Sequence, residues 1–276
     1  MFSTVVQPSV VSIFSSTGTA PLQLFEASVD PSLPADYFIH LLHDEASLPK
    51  PAAPAALIPP PSLETTSDGQ GYSLNQTVLQ IQSPTLWTTY IQCPPVGGPL
   101  PSGHSDLGAR DKSSDLGLKH PWMHIQVRNM GRQWSLEVGL VDQSGRMGIL
   151  RLSTFQKQPR LRLPMSPNSY PLLHLPLAFP PSSSRPLTAW STVTLCLPSY
   201  LPYFSSPKLI AQGDDPVDDE HTFRNARANV GSIPSGTYSH VAYIRVYATC
   251  RLRRIWFDES GPSQKVPWEF ELYGNE

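Results

Sequence analysis

One stretch of this chain has residue types and spacing that could do chemistry. Between Tyr238 and Phe257 it reads YSHVAYIRVYATCRLRRIWF, with four arginines and no acid. From Ile244 the apolar residues fall on every second position (Ile244, Val246, Ala248, Cys250, Leu252), the period of a β-strand with one buried face. Tyr243, Arg245, Tyr247, Arg251 and Arg253 then share the opposite face, with Arg254 beside them. A guanidinium is a planar fork of donors that matches carboxylate and phosphate, and tyrosine adds contact area at small entropic cost. Such a face predicts an acidic partner: tubulin, or nucleic acid as the alternative. Arg128, Arg132, Arg146 and Arg151 extend the basic surface. The competing reading is local pairing with Glu259, Glu269 or Glu271. At Arg253–Arg254 the phase slips, and Ile255 and Phe257 take over the apolar role, which predicts a bulge or bend.

Other chemistry is thin. The sequence has no phosphate loop, no GxSxG elbow, no HExxH and no complete GxGxxG. Glu269 and Glu271 sit two apart, as ordinary exposed strand acids do, and no glycosidase pair is read from them. His120 and His124 lack a third ligand at a diagnostic spacing, so they read as outward polar residues of a half-exposed strand. His40 and His43 are read the same way. Cys93, Cys196 and Cys250 form no CxxC pair, which argues against a disulfide framework or zinc knuckle, and Cys250 reads as a small core residue. Trp122 and Trp190 fall out of phase with the apolar residues of their strands and are candidate platforms for sugar stacking. Trp134 and Trp268 are in phase and read as core. No catalytic residue, metal, cofactor or small-molecule substrate is expected.

The elements that would position this face are short strands. Proline makes up 31 of 276 residues, about double ordinary usage, and it is excluded from helix interiors and central strands. Strand signals fall at 8–14, 22–26, 78–83, 86–92, 122–128, 133–141, 146–152, 172–179, 190–197 and 268–273, and two helical turns are read at 36–43. Asn129-Met130-Gly131 and Asp142–Gly145 read as hairpin turns, giving three sequential antiparallel strands over 122–152. The expected fold is all-β, an antiparallel β-sandwich, with one domain over 1–276 and irregular insertions at about 44–71, 96–115, 163–186 and 205–236. The last of these holds the acidic run Asp214 to Glu220. Net charge is −2, but residues 1–118 carry −7 and residues 119–162 carry +6, so a local field can attract an acidic partner. The apolar amino-terminal stretch lacks a basic start and is broken by Pro8, and no run reaches the ~18 residues of a membrane span. A cytosolic, cytoskeletal or nuclear protein with no membrane partner is expected, and the Asn75-Gln76-Thr77 sequon should be unglycosylated.

Several blocks also carry a family resemblance: FSTVVQPSVVSIFSSTGTAPLQLFE (2–26), TTYIQCP (88–94), LGLKHPWMHIQVRN (116–129), WSLEVGLVDQSGRMGILRLST (134–154), AWSTVTLCL (189–197), YIRVYATCRLRRIWF (243–257) and VPWEFELY (266–273). In this order, and with the Cys-Arg-x-Arg-Arg block at Cys250 to Arg254, the chain resembles the cilia- and flagella-associated protein 20 family. The resemblance implies a jelly-roll-like β-sandwich similar to carbohydrate-binding modules, without catalytic activity. It further implies a structural role on microtubules, at the doublet inner junction of axonemes, among neighbouring axonemal proteins, and at basal bodies, with a nuclear pool as the alternative location.

Overall fold

Alternating apolar residues become strands in the computed structural model, which describes residues 1–2, 6–30, 32, 37–48, 76–95, 115–164, 169–180, 189–210 and 233–272. The strands are β1 (Val10–Ser15), β2 (Glu26–Ser28), β3 (Phe38–His43), β4 (Thr77–Gln82), β5 (Tyr90–Cys93), β6 (Trp122–Asn129), β7 (Ser135–Asp142), β8 (Met147–Ser153), β9 (Arg160–Arg162), β10 (Leu172–Pro176), β11 (Trp190–Cys196), β12 (Tyr238–Tyr247) and β13 (Cys250–Asp258). One sheet runs β11-β6-β13-β4-β3 with β1 also on β13, and the other runs β2-β5-β12-β7-β8-β10-β9. The expected all-β sandwich is what the chain forms. Pairing is antiparallel except that β10 lies parallel to β8. Between the sheets Leu79, Ile81, Ile91, Ile125, Leu136, Val138, Ile244, Val246, Leu252 and Phe257 are all 0% exposed. Burying each such side chain is worth about 1.5–3 kcal/mol.

The arginine-rich stretch is two strands, not one. β12 is central in one sheet and β13 in the other, and the chain crosses between them at Ala248–Thr249. The apolar phase survives the crossing because both sheets bury their inner faces against one core. Ala248 and Cys250 are 1% and 0% exposed, in step with Val246 and Leu252. A period of two tells inward from outward, but not which sheet a residue belongs to. The expected bulge is present: Leu252 pairs with Val127 and Arg254 with Gln126, leaving Arg253 as the extra residue.

Other readings are corrected. The helical turns expected at 36–43 give way, over the described residues, to a strand: Phe38–His43 pairs along β4. Ile39 and Leu41 face the core, while Leu42 packs with Val78 and Trp190 on the outer side, so a strand covered on both faces loses its alternation. Asn129-Met130-Gly131 makes no hairpin. β6 pairs with β11 and β13, β7 with β12 and β8, and the turn carries the chain between sheets. The Asp142–Gly145 hairpin joins β7 to β8 as expected. Residues 21–24 form a turn before the three-residue β2, and 86–88 a turn before β5. The expected closing strand at 268–273 is a 3-10 turn over Trp268–Phe270. Within the expected insertion 163–186, β10 is a sheet strand with Leu173 fully buried. The stretch 49–75 with the Asn75 of its sequon, 96–114 and the acidic run Asp214 to Glu220 lie outside the described residues. Among the described residues no helix is long and apolar enough to cross a membrane.

Candidate functional site

The outer face of the β12 sheet carries one row of polar side chains drawn from six strands. Register sets Arg245 between Gln92 and Glu137, Glu137 opposite Arg151, Arg151 opposite His174, and His174 opposite Arg160. Arg162 follows two residues on, so it points the same way. Arg245 Nε donates to Gln92 Oε1 at 2.7 Å, Nη1 donates to the Tyr247 hydroxyl at 3.0 Å, and Glu137 Oε2 lies 3.6 Å from Nη1. Arg151 Nε donates to Glu137 Oε1 at 2.7 Å. The Arg245 guanidinium carbon is 4.6 Å from the Tyr90 ring centre and 5.7 and 5.8 Å from Tyr243 and Tyr247, within cation–π range. Tyr243 can lie that low because residue 139 is glycine; a Cβ there would come within 2.6 Å of its ring. Trp87, 46% exposed, extends the aromatic surface. Its ring lies 5.3 Å from Tyr247, 5.9 Å from Phe155 and 4.6 Å from the Arg151 guanidinium carbon.

Charge on this row is set by neighbours. Burial works against the Arg245 cation, but the Tyr247 hydroxyl, Glu137 and Tyr243 outweigh it and raise its pKa. Burial, then Arg151, Arg162 and Arg160, push His174 down to about 4, so its imidazole is neutral at neutral pH and meets the Ser153 hydroxyl at 2.6 Å. Four guanidinium groups therefore share a face with the carboxylates of Glu137 and Glu26, the latter placed there by its register with Gln92.

The outer face of the β13 sheet is also rich in arginine, but it is roofed. Arg251 is 5% exposed, Arg253 7%, Arg254 8% and Asp44 1%. Asp44, just past β3, accepts from Arg251 Nη1 at 2.7 Å, Arg128 Nη1 at 3.1 Å and Trp190 Nε1 at 2.8 Å. Arg251 also donates to Gln80 at 3.1 Å and to the Ser47 hydroxyl at 2.7 Å. Arg253 donates to Gln76 at 3.0 Å, to Gln126 at 2.5 Å and to the backbone oxygen of Glu269 at 2.9 Å. The Arg254 guanidinium lies 4.2 Å from the centre of the Phe270 ring. Burial, then Arg254, pushes Arg253 down to about 10. Segments 44–47 and 268–272 thus cover what would otherwise be a second basic surface.

Residues 69–172, from before β4 to the start of β10, match the family model of the CFA20 domain. That stretch is similar to a CFA20 domain. It is similar to the cilia- and flagella-associated protein 20 of Chlamydomonas reinhardtii, 21% identical over 206 residues, which cover 72% of this chain and 75% of that relative.

The residues expected to form one basic surface divide between the two sheets. Tyr243, Arg245, Tyr247 and Arg151 share the open face of the β12 sheet, whereas Arg128, Arg251, Arg253 and Arg254 lie on the roofed face of the β13 sheet. The expectation of one continuous arginine surface is corrected, because the strand thought to carry it folds over the core at Ala248. Local pairing is extensive but uses Asp44, Glu137 and glutamines; Glu269 contributes a backbone oxygen and, through its charge, support for Arg254. Asp44, Glu137, Trp87, Arg160 and Arg162 were missed. Only the Arg160-x-Arg162 alternation carried a sequence signal.

His120 and His124 are buried rather than outward, whereas His40 is exposed. His120 is 3% exposed and its Nε2 lies 2.7 Å from the Pro8 oxygen. His124, 4% exposed, stacks on Trp256 at 4.7 Å, with Thr194 Oγ1 and Asp258 Oδ2 each 2.9 Å from its ring nitrogens. Among the described residues no group of three or more His, Cys, Asp or Glu is placed to hold a metal. Trp190 is no surface platform, being 3% exposed, and Trp268 is not core, at 71% exposed. Trp134 and Cys250 are core residues, and burial raises the Cys250 thiol to about 12.

Proposed function

We propose that the protein is a non-enzymatic structural component of the cilium or flagellum that docks on microtubules through the open face of the β12 sheet. Arg245, Arg151, Arg160 and Arg162 across that face, with Trp87 exposed among them, are the observation that carries the reading. The printed name of the Chlamydomonas relative supports the ciliary setting. Steering by such a patch reaches about 8 Å at physiological ionic strength, and tubulin supplies the acidic counterpart. Arg160 and Arg162 lie on an edge strand and can direct the approach, while Arg245 and the tyrosines form a rigid contact surface. Microtubule co-pelleting tests it: the Arg160→Glu/Arg162→Glu double variant should lose binding at least tenfold, and raised salt should weaken the native chain. Equal pelleting of variant and native chain would refute the face; retention on RNA instead would favour a nuclear partner.

A further inference from the structure

The segment that roofs the β13 sheet is held in a way that does not depend on its being part of this chain. Two consecutive backbone oxygens are its anchor points: Arg253 Nη2 donates to Glu269 O at 2.9 Å and Gln126 Nε2 donates to Phe270 O at 2.5 Å. Phe270 enters a slot between Trp256, edge-on at 5.3 Å and 86°, and the Arg254 guanidinium at 4.2 Å. Leu272 packs against Leu42, Val78 and Trp190. The acidic residues Glu269 and Glu271 stand exposed above a sheet face that holds Arg128, Arg253 and Arg254. Among the described residues little else fixes the segment. It makes a three-residue 3-10 turn outside both sheets, and Trp268 at its start is 71% exposed.

We infer that the outer face of the β13 sheet is a peptide-docking groove, filled in cis by residues 268–272, which takes a partner segment of the same chemistry. The ligand class is a short acidic segment with an aromatic and an aliphatic residue two apart and carboxylates beside them. Donors aimed at two consecutive main-chain oxygens read a tight turn, while the two apolar slots set side-chain specificity. Arginines beneath the segment complement its carboxylates. The Asp44 network lies under residues 44–47, so release of 268–272 leaves Asp44 with Arg128, Arg251 and Trp190. A tethered segment has an effective concentration in the millimolar range, so free peptide competes with it only at millimolar concentration unless the cis occupant is weakened.

The test uses the full chain and a fluorescent peptide of residues 264–272, QKVPWEFEL. The Phe270→Ala/Leu272→Ala chain should bind it at least tenfold more tightly than the native chain does. The same peptide with both residues changed to alanine should not bind. No binding to a variant that keeps the native circular dichroism and a cooperative melt would overturn the groove. Should that variant not fold, the native chain is exposed to millimolar peptide bearing a photo-crosslinker in place of Trp268. Crosslinks confined to β6 and β13 support the groove; crosslinks absent, or spread evenly over both sheets, overturn it.

Discussion

The two outer faces of this sandwich begin from the same ingredients and end as opposite devices. Each carries arginines from a central strand, and each sets them beside aromatic rings. On the β13 side Arg251, Arg253 and Arg254 are under 9% exposed and several of their acceptors lie in covering segments, so they act as internal ties, while Arg128 keeps 21% of its side chain in solvent. On the β12 side the Arg245 and Arg151 side chains keep 27% and 20% of their surface in solvent. They share one nearly buried carboxylate, Glu137, which orients both without hiding them. What separates the faces is the roof. A charge taken out of water must be met in full, and only a covering segment supplies enough acceptors.

That comparison breaks most sharply at Asp44. Asp44→Ala leaves the buried Arg251 guanidinium, the partly exposed Arg128 and the Trp190 indole without their shared acceptor, and should destabilise the fold by about 3–5 kcal/mol. Arg245→Ala on the open face removes hydrogen bonds and ring contacts from a group still partly in water, and should cost about 1–2 kcal/mol. Urea unfolding of both variants checks the order. Equal losses would mean that the roof makes no energetic difference.

How much of this was legible in the sequence follows from what periodicity encodes. The core-facing residues were read correctly along 122–141 and 244–257, because both sheets press on a single core and the period of two is a statement about that core. The break at Ala248 was not legible. Alternation passes through it unchanged, so Arg245 and Arg251 seem neighbours in phase although they sit on opposite sides of the molecule. Asp44 was invisible for a related reason: its partners Arg128, Arg251 and Trp190 are distant in sequence, and nothing at 38–44 announces three donors. Trp190 was misplaced because an out-of-phase residue faces solvent only where nothing covers the sheet.

Acid separates the faces through a titrating group. Burial and three arginines hold His174 near 4, against its ordinary 6.5. As pH falls from 6.5 toward 4 the unfolded chain takes up a proton that the folded chain refuses, so stability drops across that window and levels below it. His124 on the roofed face is also lowered, burial outweighing the Asp258 carboxylate, and contributes with the same sign. Asp142 acts at lower pH. Burial raises its carboxyl, but the Arg146 and Gly236 amides and the Arg146 side chain outweigh that and hold it below 3.8, so its contribution fades as pH falls further. His174→Gln should therefore reduce, and not abolish, the loss of stability between pH 6.5 and 4. Thermal melts at fixed ionic strength read this out, and an unchanged pH profile would remove His174 from the account.

The smallest effect on stability is expected at Arg160 and Arg162, and it discriminates most finely between the faces. Their side chains project from the edge strand of the open face, so Arg160→Ala/Arg162→Ala should change stability by no more than about 0.5 kcal/mol. The same change removes two of the three cations that hold His174 down. Its pKa, followed by the imidazole proton shifts, should rise from about 4 toward 6.5 but stop short of it, since burial and Arg151 remain. A rise with no loss of stability means that these arginines project a field outward and carry no structural load. An unmoved pKa combined with a large loss of stability would make the open face a second set of internal ties, and the distinction between the two sides would fall.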